Sequence, residues 1–398
     1  TISLQKEASD HIEVGAPPLK TKQGWLVIYC YIKNYLSSAP TFGIEAVLLD
    51  LKNPLKIIKR TTRPLLVPEK DYELYGEVPN VIFPSGAFIQ DKQLNIYYGA
   101  ADTTCCLAKA ALGELIKEMT EGKKAKLERY KKNPIIRPRT EHPWESEAVF
   151  NPAAVYEGGK VHFVYRSFSP DKTSFLGYAS SKNGFHITER LAEPIYVPRE
   201  DFEKKAASGV WSGCEDPRIT KIKDRFYMCY TAFDGEKNTR VALTSIKVVD
   251  FLSKRWRWAK PIVISDPNKN DKNACVMSEK IKGKYVFFHR VDDCIRIDFI
   301  DDLNFKNNRW LDGKVIVSPR PDKWDSSKIG IAGPPIKTKK GWLLIYHGLS
   351  KYDNKYRLGA ILLDKASPDK VLSKLDYPII EPETDYENTG VRPGTIFS

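Results

Sequence analysis

The segment GCEDPRI at 213–219 sets two carboxylates, Glu215 and Asp216, directly ahead of a proline and Arg218. A carboxyl group withdrawn from water has its pKa raised and can deliver a proton near neutral pH, so one reading of Asp216 is a general acid in a pit. The plainer reading is a turn in which Asp216 and Arg218 form a local ion pair. If the stretch is a strand, alternation aims Glu215 away from the side that Asp216 faces, which makes Asp216 the better-placed acid. Elsewhere, polar or basic residues end short alternating runs: GKVHFVYR stops at Arg166, DRFYMCYT at Thr231, GKYVFFHR at Arg290, and GWLLIYHG just past His347. Such residues converge on one surface only if their strands surround a common centre.

The elements that would position them recur with a short period. Each run above follows a turn, and each alternates with an apolar, mostly Pro-bounded mark: NPIIRP at 133–138, EPIYVP at 193–198, KPIVIS at 260–265, KVIVSP at 314–319 and YPIIEP at 377–382. A unit of roughly sixty residues with several period-two strands is too short for a barrel and suits one four-stranded propeller blade. Twenty-six Pro and 24 Gly against three Met agree with many short strands joined by turns, and 42% hydrophobic residues suffice for a sizeable core. The expected fold is all-β, a five-bladed β-propeller.

A longer period overlies the short one. GAPPLKTKQGWLVIYC at 15–30 matches AGPPIKTKKGWLLIYH at 332–347, AVLLD at 46–50 matches AILLD at 360–364, and PLLVPEKDYE at 64–73 matches PIIEPETDYE at 378–387. Residues 1–120 thus repeat the C-terminal part of a main unit at 127–398, with a linker over 121–132. The early copy runs on through FPSGAFIQDKQLNIYYGAAD at 83–102, which holds the fifth inner run that the main unit lacks. Either residues 81–110 fold back to close the last blade, or the chain is a window cut from a tandem protein. The first is favoured because closure removes an exposed strand edge. CLAKAALGELIKEM at 106–119 has helical periodicity and would end the early copy.

The formal charge of +13 raises the question of a polyanion partner, but the basic residues are diffuse. The densest run, Lys117 to Lys132, reads as a solvated linker. Aromatics fall mostly at alternating strand positions, which argues against nucleic acid. Seven Cys, one adjacent pair and no C-x-x-C do not form a secreted disulfide framework. With no apolar run of membrane-spanning length, the expectation is a cytoplasmic protein without membrane association, compatible with a homo-oligomer. No metal-ligand spacing or nucleotide loop is visible, so neither a metal nor an organic cofactor is expected. The absence of an initial Met and the end inside a strand-like run leave a processed or missing terminus open.

Four motifs, NPAAVY at 151–156, GCEDPRI at 213–219, PPIKTKKGWLLIYHG at 334–348 and FPSGA with YYGAAD at 83–102, resemble glycoside hydrolase family 130, the mannoside phosphorylases and related mannosidases. The resemblance implies a five-bladed propeller and an inverting reaction on a β-mannoside. In the phosphorylase branch inorganic phosphate is co-substrate and nucleophile, giving α-mannose 1-phosphate. It implies that Asp216 is the acid, acting through a sugar hydroxyl. It further implies that Arg290, Lys328, His347 and Tyr356, with Lys272 as a looser candidate, bind phosphate across three blades, and that Asn151, Arg166 and Asp102 lie near the sugar. Arg offers phosphate a bidentate fork, and Lys and His offer point donors. Taken singly, each is more often a surface charge or a satisfied histidine. The repeat supplies a control: Lys328 corresponds to His11, His347 to Cys30 and Tyr356 to Phe42, so the early copy keeps the apolar frame without the donors. One active site is expected. Trp211 is equally readable as a sugar platform or a rim residue. The rival readings are a β-mannoside hydrolase, which needs a separate base, and a non-catalytic carbohydrate-binding propeller.

Overall fold

The computed structural model describes Leu4, residues 11–14, 19–20, 25–33, 41–60, 82–91, 93–100, 104–111, 127–306, 309–321 and 323–388, and Pro393. Its regular structure is almost wholly β. A first sheet contains β1 (His11–Val14), β2 (Leu19–Lys20), β3 (Trp25–Lys33), β4 (Thr41–Leu49) and β5 (Ile57–Arg60). A second contains β6 (Ile82–Gln90), β7 (Gln93–Ala100), β8 (Thr104–Ala111) and β9 (Glu128–Arg129). Next come β10 (Ala148–Glu157), β11 (Lys160–Phe168), β12 (Thr173–Ser181) and β13 (Glu189–Arg190), joined to β14 (Ser212–Ile222), β15 (Arg225–Phe233), β16 (Arg240–Lys247) and β17 (Ile262–Val263). The joint is a short parallel pairing, Thr173 with Ser212 and Ser174 with Gly213. Then follow β18 (Lys272–Val276), β19 (Tyr285–Val291), β20 (Cys294–Ile300) and β21 (Lys314–Val317). The last sheet is β22 (Lys328–Ile331), β23 (Ile336–Lys337), β24 (Trp342–Leu349), β25 (Tyr356–Leu363) and β26 (Val371–Lys374). Short helices α1 (Val248–Leu252) and α2 (Asp385–Asn388) complete it.

The periodic runs fall where the pattern requires. The polar-ended runs are the second strands β7, β11, β15, β19 and β24, and the apolar marks supply outer edges: Ile262–Val263 is β17, Lys314–Val317 is β21, and Tyr196 and Ile380 bridge to Leu176 and Leu358. Side chains from facing sheets form the cores. Val164, Tyr178, Phe226, Met228 and Trp258 pack between the two joined units, while Phe288, Ile297, Ile329, Trp342 and Leu344 pack between the last two sheets. Each such fully buried side chain contributes roughly 1.5–3 kcal/mol over its exposed state. The innermost strands β6, β10, β14, β18 and β22 succeed one another side by side, and β6 lies against both β10 and β25.

The first sheet reproduces the last in order and register. β1 pairs β3 with His11 opposite Ile32, as β22 pairs β24 with Lys328 opposite Leu349; β4 pairs β5 as β25 pairs β26. Two local expectations are overturned. Residues 104–111 are a strand rather than the start of a helix, because pairing along β7, from Thr104 opposite Ala100 to Ala111 opposite Gln93, outweighs the helical propensity of an Ala- and Leu-rich run. Residues 127–130, expected in a linker, carry β9. Its Arg129 donates to Glu383 at 2.6 Å and to both oxygens of Glu387 at 2.7 and 2.8 Å, and the Leu127 amide bonds the Ile379 carbonyl at 2.8 Å. Tyr97 and Tyr98 pair within their own sheet, with Leu107 and Cys106, and β7 packs against α2.

Candidate functional site

Three innermost strands share a local device. The register of β10 shifts between Phe150 and Ala153, that of β14 between Glu215 and Arg218, and that of β18 between Lys272 and Cys275. Inside these shifts sit Asn151, Asp216 and Asn273, with φ of 49°, 51° and 56°. Asn and Asp tolerate this left-handed conformation better than other side chains, and a bulge re-aims the residue it carries. All three are buried.

The bulge at 215–218 also removes the alternation expected of Glu215 and Asp216. Both face the same guanidinium: Arg166 Nη1 donates to Asp216 Oδ1 and Nη2 to Glu215 Oε1, each at 3.0 Å. Asn151 Nδ2 donates to the same Asp216 oxygen at 2.7 Å, and Lys272 Nζ lies 3.1 Å from Glu215 Oε2. Arg166 is fixed in turn by Ser174 Oγ at 3.0 Å. Arg218 acts on the Asp216 carboxylate through its charge. It donates to the Asp216 carbonyl and, across the molecule, to the Ile331 carbonyl, both at 2.9 Å. Burial pushes the Asp216 pKa up, as the sequence led one to expect. Arg166, Arg218, the Asn151 hydrogen bond and Lys272 outweigh it, and the net direction is down. Without substrate, Asp216 is therefore a carboxylate, because it lies among cations rather than in an apolar pit.

The basic and phenolic candidates lie in the last two sheets rather than in three blades. Lys272 stands opposite Arg290 across β18 and β19. Lys328 opens β22, His347 lies in β24 opposite Gly330, and Tyr356 opens β25. The His347 and Tyr356 rings are 5.7 Å apart, with Lys328 Nζ 5.9 Å from the Tyr356 ring centre. His347 is fully buried, and burial, then Arg290, Arg218 and Lys328, drives its pKa well below the ordinary value, so its imidazole is neutral. Gly330 is needed there: an added Cβ would strike the His347 ring and Asn273 Oδ1. His347 and Asn273 therefore meet over one glycine, which ties the cationic group to the bulged strands.

Asp216, Asn151, Arg166 and Lys272 are joined by direct hydrogen bonds and ion pairs. Arg290, Lys328, His347 and Tyr356 form a second group beside them, linked through Arg218 and Asn273. Asp102 lies outside the described residues. Sequence reasoning passed over Asn273, which the structure places at the bulge position shared with Asn151 and Asp216. It passed over His289 as well. This residue precedes Arg290 and is buried with Asp271 Oδ2 2.7 Å from Nδ1 and Asp298 Oδ2 3.0 Å from Nε2.

The all-β, propeller-like fold thus gathers two buried carboxylates, Glu215 and Asp216, beside clustered cations, an arrangement compatible with a carbohydrate-active enzyme. The chain belongs to glycoside hydrolase family 130: the family described as beta-1,4-mannooligosaccharide phosphorylase matches residues 3–121 and 126–398. The chain is 42% identical over 283 residues to a 1,2-beta-oligomannan phosphorylase of Thermoanaerobacter sp. (strain X514), an overlap of 69% of this chain and 88% of the relative. It is 43% identical over 286 residues to a beta-1,2-mannobiose phosphorylase of the same organism, with the same coverage. A solved structure described as a glycoside hydrolase, from Parabacteroides distasonis, is similar with a TM-score of 0.57 at 28% identity, covering 68% of this chain and 88% of that one.

Proposed function

We propose that the chain is an inverting phosphorylase that cleaves a terminal β-mannoside with inorganic phosphate, giving α-mannose 1-phosphate and a sugar chain shorter by one residue. The observation that carries this reading is the set Lys272, Arg290 and Lys328 beside a neutral His347, next to the single acid candidate Asp216. Phosphate is already an anion, so the site needs cations to bring it to the anomeric carbon and no base to activate it. His347, kept neutral, has one ring nitrogen to donate without adding further charge, and Tyr356 adds a hydroxyl. A phosphate oxygen forms the new bond to C1 on the face opposite the leaving oxygen. The C1–O bond breaks, and the leaving oxygen takes a proton that originates on Asp216, relayed by a sugar hydroxyl. Asn151 and Arg166 hold the Asp216 carboxylate from one side. Asn151 Oδ1, buried and without a hydrogen-bond partner among the described residues, is an acceptor for a mannose hydroxyl. No metal or organic cofactor enters this chemistry.

The β-1,2 linkage is favoured over β-1,4 because both relatives at 42–43% identity are named for β-1,2 substrates. The hydrolytic reading has one observation behind it, the second carboxylate at Glu215. Arg166 and Lys272 occupy its two oxygens, however, which leaves a nucleophilic water without an open oxygen to approach. Supporting a five-bladed ring are the succession β6, β10, β14, β18, β22 and the contact of β6 with β25; residues 82–111 would be its closing blade and residues 11–60 an additional copy of the fourth. The family match in two segments, broken between 121 and 126, supports the same division of the chain. A cytoplasmic location fits the free thiols of Cys214, Cys229, Cys275 and Cys294. The test is release of α-mannose 1-phosphate from β-1,2-mannobiose only when phosphate is present, with Asp216→Asn lowering kcat by roughly 10²–10⁴-fold. Mannose release indifferent to phosphate would sink the reading in favour of hydrolysis. Mannobiose binding without turnover in the unsubstituted protein would sink it in favour of a binding module.

A further inference from the structure

Trp211 is 40% exposed, and among the described residues no other tryptophan is comparably open to solvent. It stands immediately before β14, the strand that carries Glu215 and Asp216. Its ring lies 4.5 Å from that of Phe168, tilted by 30°. Phe168 ends β11, two residues beyond Arg166 on an unbulged pairing with β12, so the two side chains share a face about 7 Å apart. Phe150, opposite Arg166, lies 4.8 Å beneath the guanidinium and packs with Phe168. Phe150, Phe168 and Trp211 thus form a continuous aromatic layer that starts under the arginine holding Asp216 and ends in solvent.

The backbone that presents Trp211 is braced. The Ser212 amide donates to the Lys172 carbonyl at 3.1 Å, and Ser212 pairs with Thr173 in the parallel joint. Lys205 reaches Asp171 at 3.5 Å, which holds the loop preceding Trp211 to the loop after β11. A large apolar ring held in place yet left in water loses the burial that would normally stabilise it, and that loss is recovered when a ligand covers the ring.

We propose that Trp211, backed by Phe168, is the platform for the sugar on the far side of the scissile bond, the residue that leaves in phosphorolysis and enters as acceptor in the reverse direction. This rests on the phosphorylase reading above. The chemistry of the ligand suits it. In a β-mannopyranosyl ring the hydrogens on C1, C3 and C5 are axial on one face, opposite the axial 2-hydroxyl. That face is apolar and lies flat on an indole, while the hydroxyls on the other side and at the rim stay hydrated. The phosphate and the mannosyl unit undergoing transfer are assigned to Lys272, Arg290, Lys328 and His347, on sheets other than the one that Trp211 precedes.

Synthesis run in reverse separates the two ends of the site, because donor and acceptor are then different molecules. The full chain, Trp211→Ala and Trp211→Phe are compared with α-mannose 1-phosphate as donor and mannose or β-1,2-mannobiose as acceptor. The expected result is an acceptor KM raised about tenfold in Trp211→Ala, the effect of losing one stacking contact, with donor KM unchanged and most of the loss restored in Trp211→Phe. Unchanged acceptor KM in an active Trp211→Ala overturns the platform alone. A rise in donor KM equal to that for acceptor also overturns it, since that marks a general distortion. Failure of the unsubstituted chain to form any mannoside from α-mannose 1-phosphate overturns the phosphorylase reading and the platform with it.

Discussion

At the residue scale the decisive fact is the protonation of Asp216. In its proposed role as general acid it must carry a proton, yet Arg166, Arg218, Asn151 and Lys272 overcome burial and hold its pKa below the ordinary carboxylate value. In the proposed mechanism phosphate supplies the missing element. An anion placed among Lys272, Arg290 and Lys328 cancels part of the field that depresses Asp216, and its own charge disfavours a second carboxylate nearby. Because the pKa is depressed in the free enzyme, the protonated fraction of free Asp216 declines as pH rises through that low value. In the phosphate complex the same decline moves to higher pH. The expected outcome is that the basic limb of kcat at saturating phosphate lies at higher pH than the basic limb of kcat/KM. Parallel pH profiles of the two quantities check this, and coincident limbs would show that phosphate does not act on Asp216.

At the element scale, the pair β18 and β19 sets Lys272 opposite Arg290, two like charges that repel. The buried cluster of Asp271, His289 and Asp298 beside them supplies attraction across the same strands. Burial alone would lower the His289 pKa, but Asp271 and then Asp298 raise it to about 9 from the ordinary 6.5. The imidazolium of β19 holds Asp271, the residue just before β18, on one side and Asp298 of β20 on the other. Since the folded pKa is the higher one, the stabilisation is fully present below about pH 6.5 and is lost as pH rises through about 9. It amounts to ~3 kcal/mol at most. Denaturant unfolding of the unsubstituted chain and His289→Gln should show a gap that is wide at pH 6 and narrows by pH 9.5. The sequence run GKYVFFHR placed His289 and Arg290 at the end of a strand, and only the Arg was taken up as a site candidate. That Asp271 and Asp298 would meet His289 was not legible, because the pairing depends on the register of three strands. Residues 106–111 show the reverse: the local signal was clear and pointed to a helix, and only the partner strand β7 overrode it. The bulges at Asn151, Asp216 and Asn273 belong here too. The motifs NPAAVY and GCEDPRI located the first two residues, but nothing in a period-two pattern announces a bulge, so Glu215 was assigned to the wrong side.

At the scale of the whole molecule, the two repeats divide into different roles. The first sheet carries His11, Cys30 and Phe42 where the last carries Lys328, His347 and Tyr356, whereas β6, β7 and β8 lie against β10 and complete a sheet with β9. Removing residues 1–60 should leave phosphorolysis within about threefold of the full chain, because such a change costs under ~1 kcal/mol of transition-state stabilisation. Removing residues 1–112 should abolish it and lower the melting temperature, as β9 and β10 lose their neighbours. Mannose 1-phosphate release and thermal unfolding of both truncated chains check this, and full activity without residues 1–112 would exclude a closing role for 82–111. The clamp of Arg129 on Glu383 and Glu387 fastens the C-terminal segment to the strand that completes the second sheet, so Arg129→Ala should weaken the assembly even with all strands present.

The contact of β6 with both β10 and β25 has a consequence for how the protein is made. A ribosome delivers β6, β7 and β8 early, and β25 emerges only after the greater part of the remaining chain has been translated. At ~5–20 residues per second that interval is on the order of tens of seconds. Throughout it, the nascent second sheet has one flank uncovered, and the nearest completed β structure is the first sheet, which copies the topology of the sheet still to come. Slower synthesis is therefore expected to lower the yield of molecules in which β6 meets both β10 and β25.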